Sequence, residues 1–350
     1  MNQEIKIGNR IISKDSPTFI IAEMSANHNQ DYNRAIEIVH AAAEAGADAI
    51  KLQTYTADTI TLNSDAPQFQ ITQGTIWDGT TLYKLYQEAY TPWEWQPAIM
   101  EEAKKFGMEC FSSPFDFTAV DFMQKLDMPA YKIASYEIND IPLIKRSAKT
   151  GRPIIISTGI AHLEDIERAL AACKEVGNED VILLKCVSAY PTPYEEINLR
   201  QIETLRNTFG CIMGLSDHTM GSTVAAGSIA CGVKVIEKHF TLRRADGGPD
   251  GSFSMEPQEF ADMVKSIRIM EKALGSSTYK LTPTQEIEHE GSRSLYVVKD
   301  VKKGEALTED NVRSIRPGDG LHTMYYEEIL GKKAKQDIAF GTPLAWSLFE

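Results

Sequence analysis

Eight short apolar runs, spaced along most of the chain, limit the fold more than any other feature. They are Thr18–Ser25, Ala49–Tyr55, Glu109–Phe115, Ala130–Glu137, Pro153–Gly159, Val181–Ser188, Cys211–Thr219 and Val233–Thr241. Each is nearly continuous in Ile, Val, Leu and Ala, the pattern of parallel strands buried on both faces. Helix-period segments lie between them. Tyr32–Ala45 stops at Gly46, Trp93–Phe106 at Gly107, Leu163–Val176 at Gly177 and Glu256–Leu274 at Gly275. Glycine just past a periodic segment marks a helix C-terminus. Strand and helix alternating eight times predict a (β/α)8 TIM barrel over residues 1–275. A doubly wound open sheet is the rival, but no GxGxxG follows the first run.

After Gly275 the pattern changes. Residues 276–291 are polar and read as a linker. Residues 292–350 read as a small, mostly β module, with strands at Leu295–Val298 and Ala334–Ile338 and turns at Lys303-Gly304 and Pro317-Gly318-Asp319-Gly320. A module of this size buries too little surface to stand alone. It is expected to pack on the barrel or on another subunit. One connection, Thr56 to Pro92, is far longer than the ~2–6 residues usual after a barrel strand. It carries Phe69, Trp77, Tyr83, Tyr86 and Tyr90. It is expected to shape a pocket or to form a surface excursion with its own small core.

Charge narrows the ligand classes. With 36 Lys+Arg against 49 Asp+Glu, the formal net charge is −13. Such a chain is not expected to coat nucleic acid or an anionic membrane. Any anionic small molecule needs positive charge concentrated in one pocket. No apolar run reaches the ~20 residues of a membrane helix, and Met1–Arg10 has no signal-peptide core. Five cysteines without a CxxC pair fit free thiols, and a cytoplasmic location is expected.

The strand ends of a barrel face one cavity. Here they offer Glu23; Lys51 and Gln53; Ser113; Lys132, Ser135 and Glu137; Ser157; Ser188 and Tyr190; Ser216 and His218; and His239. Residues two apart share a face, as Lys51 and Gln53 do. Lys132 and Ser135 are three apart, so a twist or bulge must re-aim one, or one lies outside the site. Two lysines and several serines suggest a phosphate or carboxylate ligand. The alternatives are a Lys51 paired with Glu23 or Glu137, and serines that only satisfy strand ends. His218 and His239 end adjacent strands and can share a divalent cation that polarises an aldehyde. The turn Ala245–Asp250 puts Asp250 near the same rim, or is a plain glycine-proline turn.

The strings IIAEMSANHN, GADAIKLQTY, FSSPFD, AYKIASYE, STGIA, SAYPTP, GLSDHT, IEKHF and GGPD resemble, in order and spacing, the sialic acid synthase family. The tail SLYVVKDVKKGEALTEDNVRSIRPGDG resembles that family's C-terminal antifreeze-like (SAF) domain. Within the family, SANHN, KLQTY and EAYTPWEW are more similar to the pseudaminic acid branch than to N-acetylneuraminate synthases. The resemblance implies a transferase that condenses phosphoenolpyruvate with an amino-sugar aldehyde and water. For that branch the sugar is 2,4-diacetamido-2,4,6-trideoxy-L-altrose, and the products are a nine-carbon 2-keto acid and phosphate. It also implies a divalent metal, Mn2+ or else Mg2+ or Co2+, between His218 and His239. By the same resemblance Lys51, Ser113, Lys132, Ser135, Ser157, Ser188 and Ser216 hold phosphoenolpyruvate, although some N-acetylneuraminate synthases carry Asn at the Ser188 position. Glu23 becomes the acid/base, and Gln53, Glu137, Tyr190 and Asp250 contact sugar. Arg316 becomes a residue that reaches a neighbouring subunit in a homodimer with swapped C-terminal domains. Within the family the alternative is an N-acetylneuraminate or legionaminic acid synthase using another amino sugar, and two other classes stay open on the residues alone: a Schiff-base aldolase using Lys132 or Lys185, and a non-catalytic sugar-binding protein.

Overall fold

A short antiparallel hairpin, β1 (Glu4–Ile7) and β2 (Arg10–Ser13), precedes eight parallel strands. These are β3 (Phe19–Glu23), β4 (Ala49–Thr54), β5 (Glu109–Pro114), β6 (Tyr131–Ile133), β7 (Ile154–Ser157), β8 (Val181–Lys185), β9 (Ile212–Asp217) and β10 (Val235–His239). They hydrogen-bond in chain order, and β10 returns to β3 to close a barrel. In that closing pair His239 lies opposite Glu23. The computed structural model describes residues 1–350. Its chain divides into two compact units, Met1–Gly275 and Ser276–Glu350.

Each barrel strand is followed by a helix. In order these are α1 (Tyr32–Glu44), α2 (Gln96–Lys105), α3 (Phe117–Lys125), α4 (Ile141–Ala148), α5 (Leu163–Glu175), α6 (Gln201–Phe209), α7 (Thr223–Ser228) and α8 (Pro257–Leu274). Asp31 caps α1 by accepting from the amides of Asn33 and Arg34. Just past the α1 C-terminus Gly46 adopts φ +88°, a conformation a side chain resists.

Strand parity sorts the side chains into two cores. Phe19, Ile21, Ala49, Phe111, Ala130, Ile155, Leu184 and Val235 fill the barrel interior. Their neighbours Ile20, Ile50, Ile133, Ile154, Leu183 and Ile236 face the helices. Ile5, Ile7 and Ile12 of the hairpin join the interior cluster and plug the barrel. Each fully buried isoleucine contributes roughly 2–3 kcal/mol. The hairpin is a difference from the sequence-based expectation, which assigned no element to Met1–Arg10. Alternation of Ile5 and Ile7 with Glu4 and Lys6 was its signal.

The long connection after β4 is not bare loop. It carries short helices at Ala57–Ile60 and Leu82–Ala89. In the second unit, α9 (Pro283–Glu290) occupies part of the stretch expected to be a linker. β11 (Ser294–Val297) pairs antiparallel with β12 (Val312–Ile315) over a core of Leu295, Val297, Leu307, Val312, Ile338 and Phe349. Ala334–Ile338 is no strand. Ala334 bridges to Phe349 while Ile338 bridges to Val301, so no continuous ladder forms. No helix is long and apolar enough to cross a membrane.

Candidate active site

The inward parity that fills the barrel with aliphatic residues turns ionic at the C-terminal strand ends. Glu23, Lys51, Lys132 and Glu237 are all buried there. Lys51 Nζ lies 2.7 Å from Glu23 and 3.7 Å from Glu237 Oε1. Lys132 Nζ lies 3.8 Å from the same Glu237 oxygen and donates to Ser157 Oγ at 2.7 Å. Lys51 donates to Ser113 Oγ at 3.3 Å, and Ser216 Oγ donates to Glu237 at 3.2 Å. Thus Lys51, Ser113, Lys132, Ser157 and Ser216 converge on one floor, as expected. Lys51 does pair with Glu23. Its second acid is Glu237 rather than Glu137.

Glu237 is absent from the residues singled out in the sequence. It lies two before His239, so alternation alone would have found it. It holds the two ammonium groups apart and in place. Burial disfavours charge on every group of this floor, and the partners decide the outcome. Burial pushes the Glu23 carboxyl to about 7, against the pull of Lys51. Burial would lower Lys51, but Glu23 and Glu237 hold it above its ordinary value. Lys132 is depressed by burial despite Glu237. Burial also opposes charge on Glu237, but Lys132 and Lys51 hold its carboxyl low. The result is a floor on which two ammonium groups and their serine hydroxyls, held by two carboxylates, present several donors to a small polyanion.

Lys132 and Ser135 both belong to the site. β6 ends at Ile133, and Ser135–Glu137 form a 3-10 turn that re-aims Ser135 without a bulge. Ser135 Oγ accepts from the Gly159 amide at 3.1 Å. A Cβ at Gly159 would fall 2.2 Å from Ser188 Oγ and 2.6 Å from Ser135 Oγ. Only glycine leaves these hydroxyls room. Ser188 Oγ is buried with no partner, so Ser188 lines this cradle with a free donor. Cys186, also unpredicted, lies 3.6 Å from Ser135 Oγ.

His218 and His239 stand with ring centroids 5.3 Å apart, both buried. His218 Nδ1 donates to the Val187 carbonyl at 2.9 Å, so the neutral ring keeps its lone pair on Nε2; burial would lower the pKa of this ring, but Cys186 and the carbonyl hold it above its usual value. His239 Nδ1 is buried without a partner. Burial, then His218 and Lys51, keep the His239 imidazole well below its usual range and so neutral. Two neutral-capable imidazoles, one with an orphaned nitrogen, fit a divalent ion. No cluster of three or more His, Cys, Asp or Glu joins them as a closed site. The fit is to an ion with open positions. On the outward parity, Lys238 donates to Asp217 at 2.7 Å and so ties β9 to β10 beside the two histidines.

The remaining sequence-predicted residues line the rim. Gln53 Nε2 donates to Glu23 Oε1 at 2.9 Å and to Ser25 Oγ at 3.0 Å, and Ser25 donates to Asp250. This Ser25 relay was not foreseen. Glu137 is half-buried, but its Oε2 is buried and unpartnered, and burial pushes its pKa to about 7. Tyr190 lies against His218 with centroids 4.3 Å apart, and Phe253 lies 4.9 Å from His239. Of the five loop aromatics only Trp77 packs near the histidines. It sits 5.5 Å from Tyr190 and donates from Nε1 to the Pro249 carbonyl at 2.7 Å. Tyr86 instead packs on Tyr55, and Tyr83 bonds Asp58. Arg316 follows β12 in the second unit, exposed. Lys185 points away from the barrel interior, where a Schiff-base nucleophile would have to act.

A closed parallel barrel with a lysine- and serine-lined anion cradle beside paired imidazoles defines a (β/α)8 enzyme acting on a small anionic substrate. The chain belongs to the NeuB family, which it matches over residues 38–279, and it carries a SAF domain over residues 292–350. It is 47% identical to the pseudaminic acid synthase of Helicobacter pylori, over 94% of this chain and 97% of the relative. It is 46% identical to the pseudaminic acid synthase of Campylobacter jejuni, over 99% of this chain and all of the relative. Among solved structures, the N-acetylneuraminic acid synthetase of Leptospira borgpetersenii superposes with a TM-score of 0.74 at 31% identity. That match covers 82% of this chain and 95% of the other.

Proposed function

We infer that this chain is a pseudaminic acid synthase, joining phosphoenolpyruvate to 2,4-diacetamido-2,4,6-trideoxy-L-altrose with release of phosphate. The observation that carries the chemistry is Glu237 held between Lys51 and Lys132 beneath the His218–His239 pair. The choice of sugar rests on full-length identity to two pseudaminic acid synthases.

In this reading Lys51 and Lys132 face the phosphate and carboxylate of phosphoenolpyruvate, with hydroxyls from Ser113, Ser135, Ser157, Ser188 and Ser216. C3 of phosphoenolpyruvate attacks the open-chain aldehyde, forming the new C–C bond as the carbonyl π bond opens to an alkoxide, which ends with the proton that Glu23 takes from water. Electron deficiency then falls on C2, and water adds there. Glu23, with its pKa near 7, takes the proton of that water. Phosphate leaves by cleavage of the C2–O bond, and the ammonium groups stabilise its charge. His218 and His239 would hold a divalent ion, Mn2+ first among candidates, which when bound polarises the aldehyde carbonyl. Gln53, Asp250, Glu137 and Tyr190 orient the sugar. Arg316 acts from the partner subunit of a swapped homodimer, a role suited to its exposure. Five free cysteines support a reducing, cytoplasmic setting.

The test is phosphate release from phosphoenolpyruvate with each of two sugars, the trideoxy diacetamido sugar and N-acetylmannosamine. Turnover with the first and little with the second is the expected result. Preference for N-acetylmannosamine overturns the substrate assignment, and release with neither overturns the reaction.

A further inference from the structure

A second cavity, about 380 Å³, lies outside the barrel wall between the starts of α5 and α6. The turn after β7 (Thr158, His162) borders it, and Gln201 and Thr204 of α6 form its exposed rim. At its base is Lys185. Leu184 packs in the barrel interior, so Lys185, one residue on, faces outward.

Lys185 is unusual among the buried lysines. Lys51 has Glu23, Lys132 has Glu237 and Lys238 has Asp217. Lys185 is only 7% exposed, yet no carboxylate pairs with it. Its ammonium makes one hydrogen bond, to the Cys186 carbonyl at 3.0 Å. A buried ammonium without a counter-charge is costly, and the charge here opens onto a solvent-connected cavity. The starts of α5 and α6 border the same cavity, but Glu164 and Asp165 in the first turn of α5 and Glu203 in that of α6 offset their dipoles, so Lys185 is the charge that an anion would meet. Thr204 and Gln201 add polar groups to a lining that is otherwise largely apolar (Ala161, Leu163, Ile166, Val187, Leu205) and holds no carboxylate, while the Thr158 hydroxyl donates to the Leu184 carbonyl.

We propose that this cavity is a second anion site, distinct from the barrel mouth, that takes a phosphate-sized tetrahedral oxyanion on Lys185. Gly159 and Cys186 border it on one side and touch the serine cradle on the other. An oxyanion here would therefore bear on the wall against which Ser135 and Ser188 are set. The site stands whether or not the sugar assignment above is right.

The experiment is calorimetric titration of inorganic phosphate into the full-length protein saturated with phosphoenolpyruvate, without amino sugar. The barrel mouth is then blocked and no turnover occurs. One phosphate per chain is expected. Lys185→Met should weaken it tenfold or more, Lys185→Arg should retain it, and KM for phosphoenolpyruvate should stay within twofold. Thr204→Glu, at the exposed rim, is a second variant that spares the interior and should weaken phosphate to a similar degree. Glycerol 3-phosphate in place of phosphate separates the sources. Equal or tighter binding identifies a phosphomonoester effector, and weaker binding identifies free phosphate. Absence of binding to the blocked wild-type protein overturns the proposal, as does equal affinity in Lys185→Met and Thr204→Glu.

Discussion

The Glu23 carboxylate lies 2.7 Å from the Lys51 ammonium, both buried at the mouth of the barrel. The pair makes Glu23 a proton acceptor near neutral pH, because burial raises its carboxyl to about 7 while Lys51 keeps it from rising further. The base form is the deprotonated one. The kcat/KM profile should therefore rise with pH and level off above about 7, falling tenfold per unit below it. Glu23→Gln should lower kcat by about 10²–10⁴-fold and abolish that acid limb. An unchanged limb in the variant would assign the titration elsewhere.

Gly159→Ala tests the serine cradle. The new methyl would press on two hydroxyls, Ser188 Oγ and Ser135 Oγ, rather than on backbone. Hydroxyls can rotate away, so the stability cost should be small, within about 1–2 kcal/mol. The same rotation removes both donors from the anion. KM for phosphoenolpyruvate is expected to rise at least tenfold with a nearly unchanged melting temperature. A variant with wild-type KM would remove Ser135 and Ser188 from the cradle.

Much of this architecture was legible in the sequence. The β-branched runs at Ile154–Ser157 and Val181–Lys185 announced parallel strands. Position at the strand ends brought Lys51, Ser157 and Ser216 to one cavity, where the structure places them. Glu237 was legible by its parity with His239, although Lys238 between them points the other way to meet Asp217 and breaks up the charged run. Two things were not legible, each for its own reason. Ser135 left the strand parity because the chain turns into a 3-10 helix there, a change no period reveals. Trp77 reaches the rim through a hydrogen bond to Pro249, 172 residues away, which local pattern cannot encode.

His28, in the SANHN string, has a structural part instead of a chemical one. Its Nδ1 accepts from the Gln30 amide at 3.1 Å, so Nε2 carries the proton and meets Thr91 Oγ1, also at 3.1 Å. Burial, then Arg34, lowers its pKa to about 4. The unfolded chain binds this proton below about 6.5, and the folded chain only below about 4. Stability from His28 is thus full above about 6.5 and is lost as pH falls toward 4. Lowering from 6.5 to about 4 amounts to about 3 kcal/mol. His28→Gln should flatten the urea-unfolding free energy between pH 6.5 and 4 by about that amount. An equally steep curve in the variant would place the acid sensitivity in other groups.

The paired imidazoles make a direct prediction for metal removal. Exhaustive chelation should suppress phosphate release about 100-fold or more, and added Mn2+ should restore it. His239→Gln should show the same loss without rescue, because the orphaned Nδ1 is gone. Full activity after chelation would leave the two rings as neighbours only, packed with Tyr190 and Phe253.

Arg316 carries the prediction about assembly. It is exposed in the second unit. If it serves the partner's barrel, Arg316→Ala should raise KM for the sugar tenfold or more while leaving KM for phosphoenolpyruvate within about twofold. The decisive form of the experiment mixes two defective subunits and is read at a sugar concentration far below the raised KM. Arg316→Ala keeps an intact barrel, and His218→Ala keeps an intact arginine. In a swapped homodimer, one site of each mixed dimer combines the intact barrel with the intact arginine. About a quarter of wild-type activity is then expected from random mixing, since half the dimers are mixed and each has one good site. An arginine serving its own chain's barrel leaves both sites of the mixed dimer defective, and activity stays at the level of the separate variants.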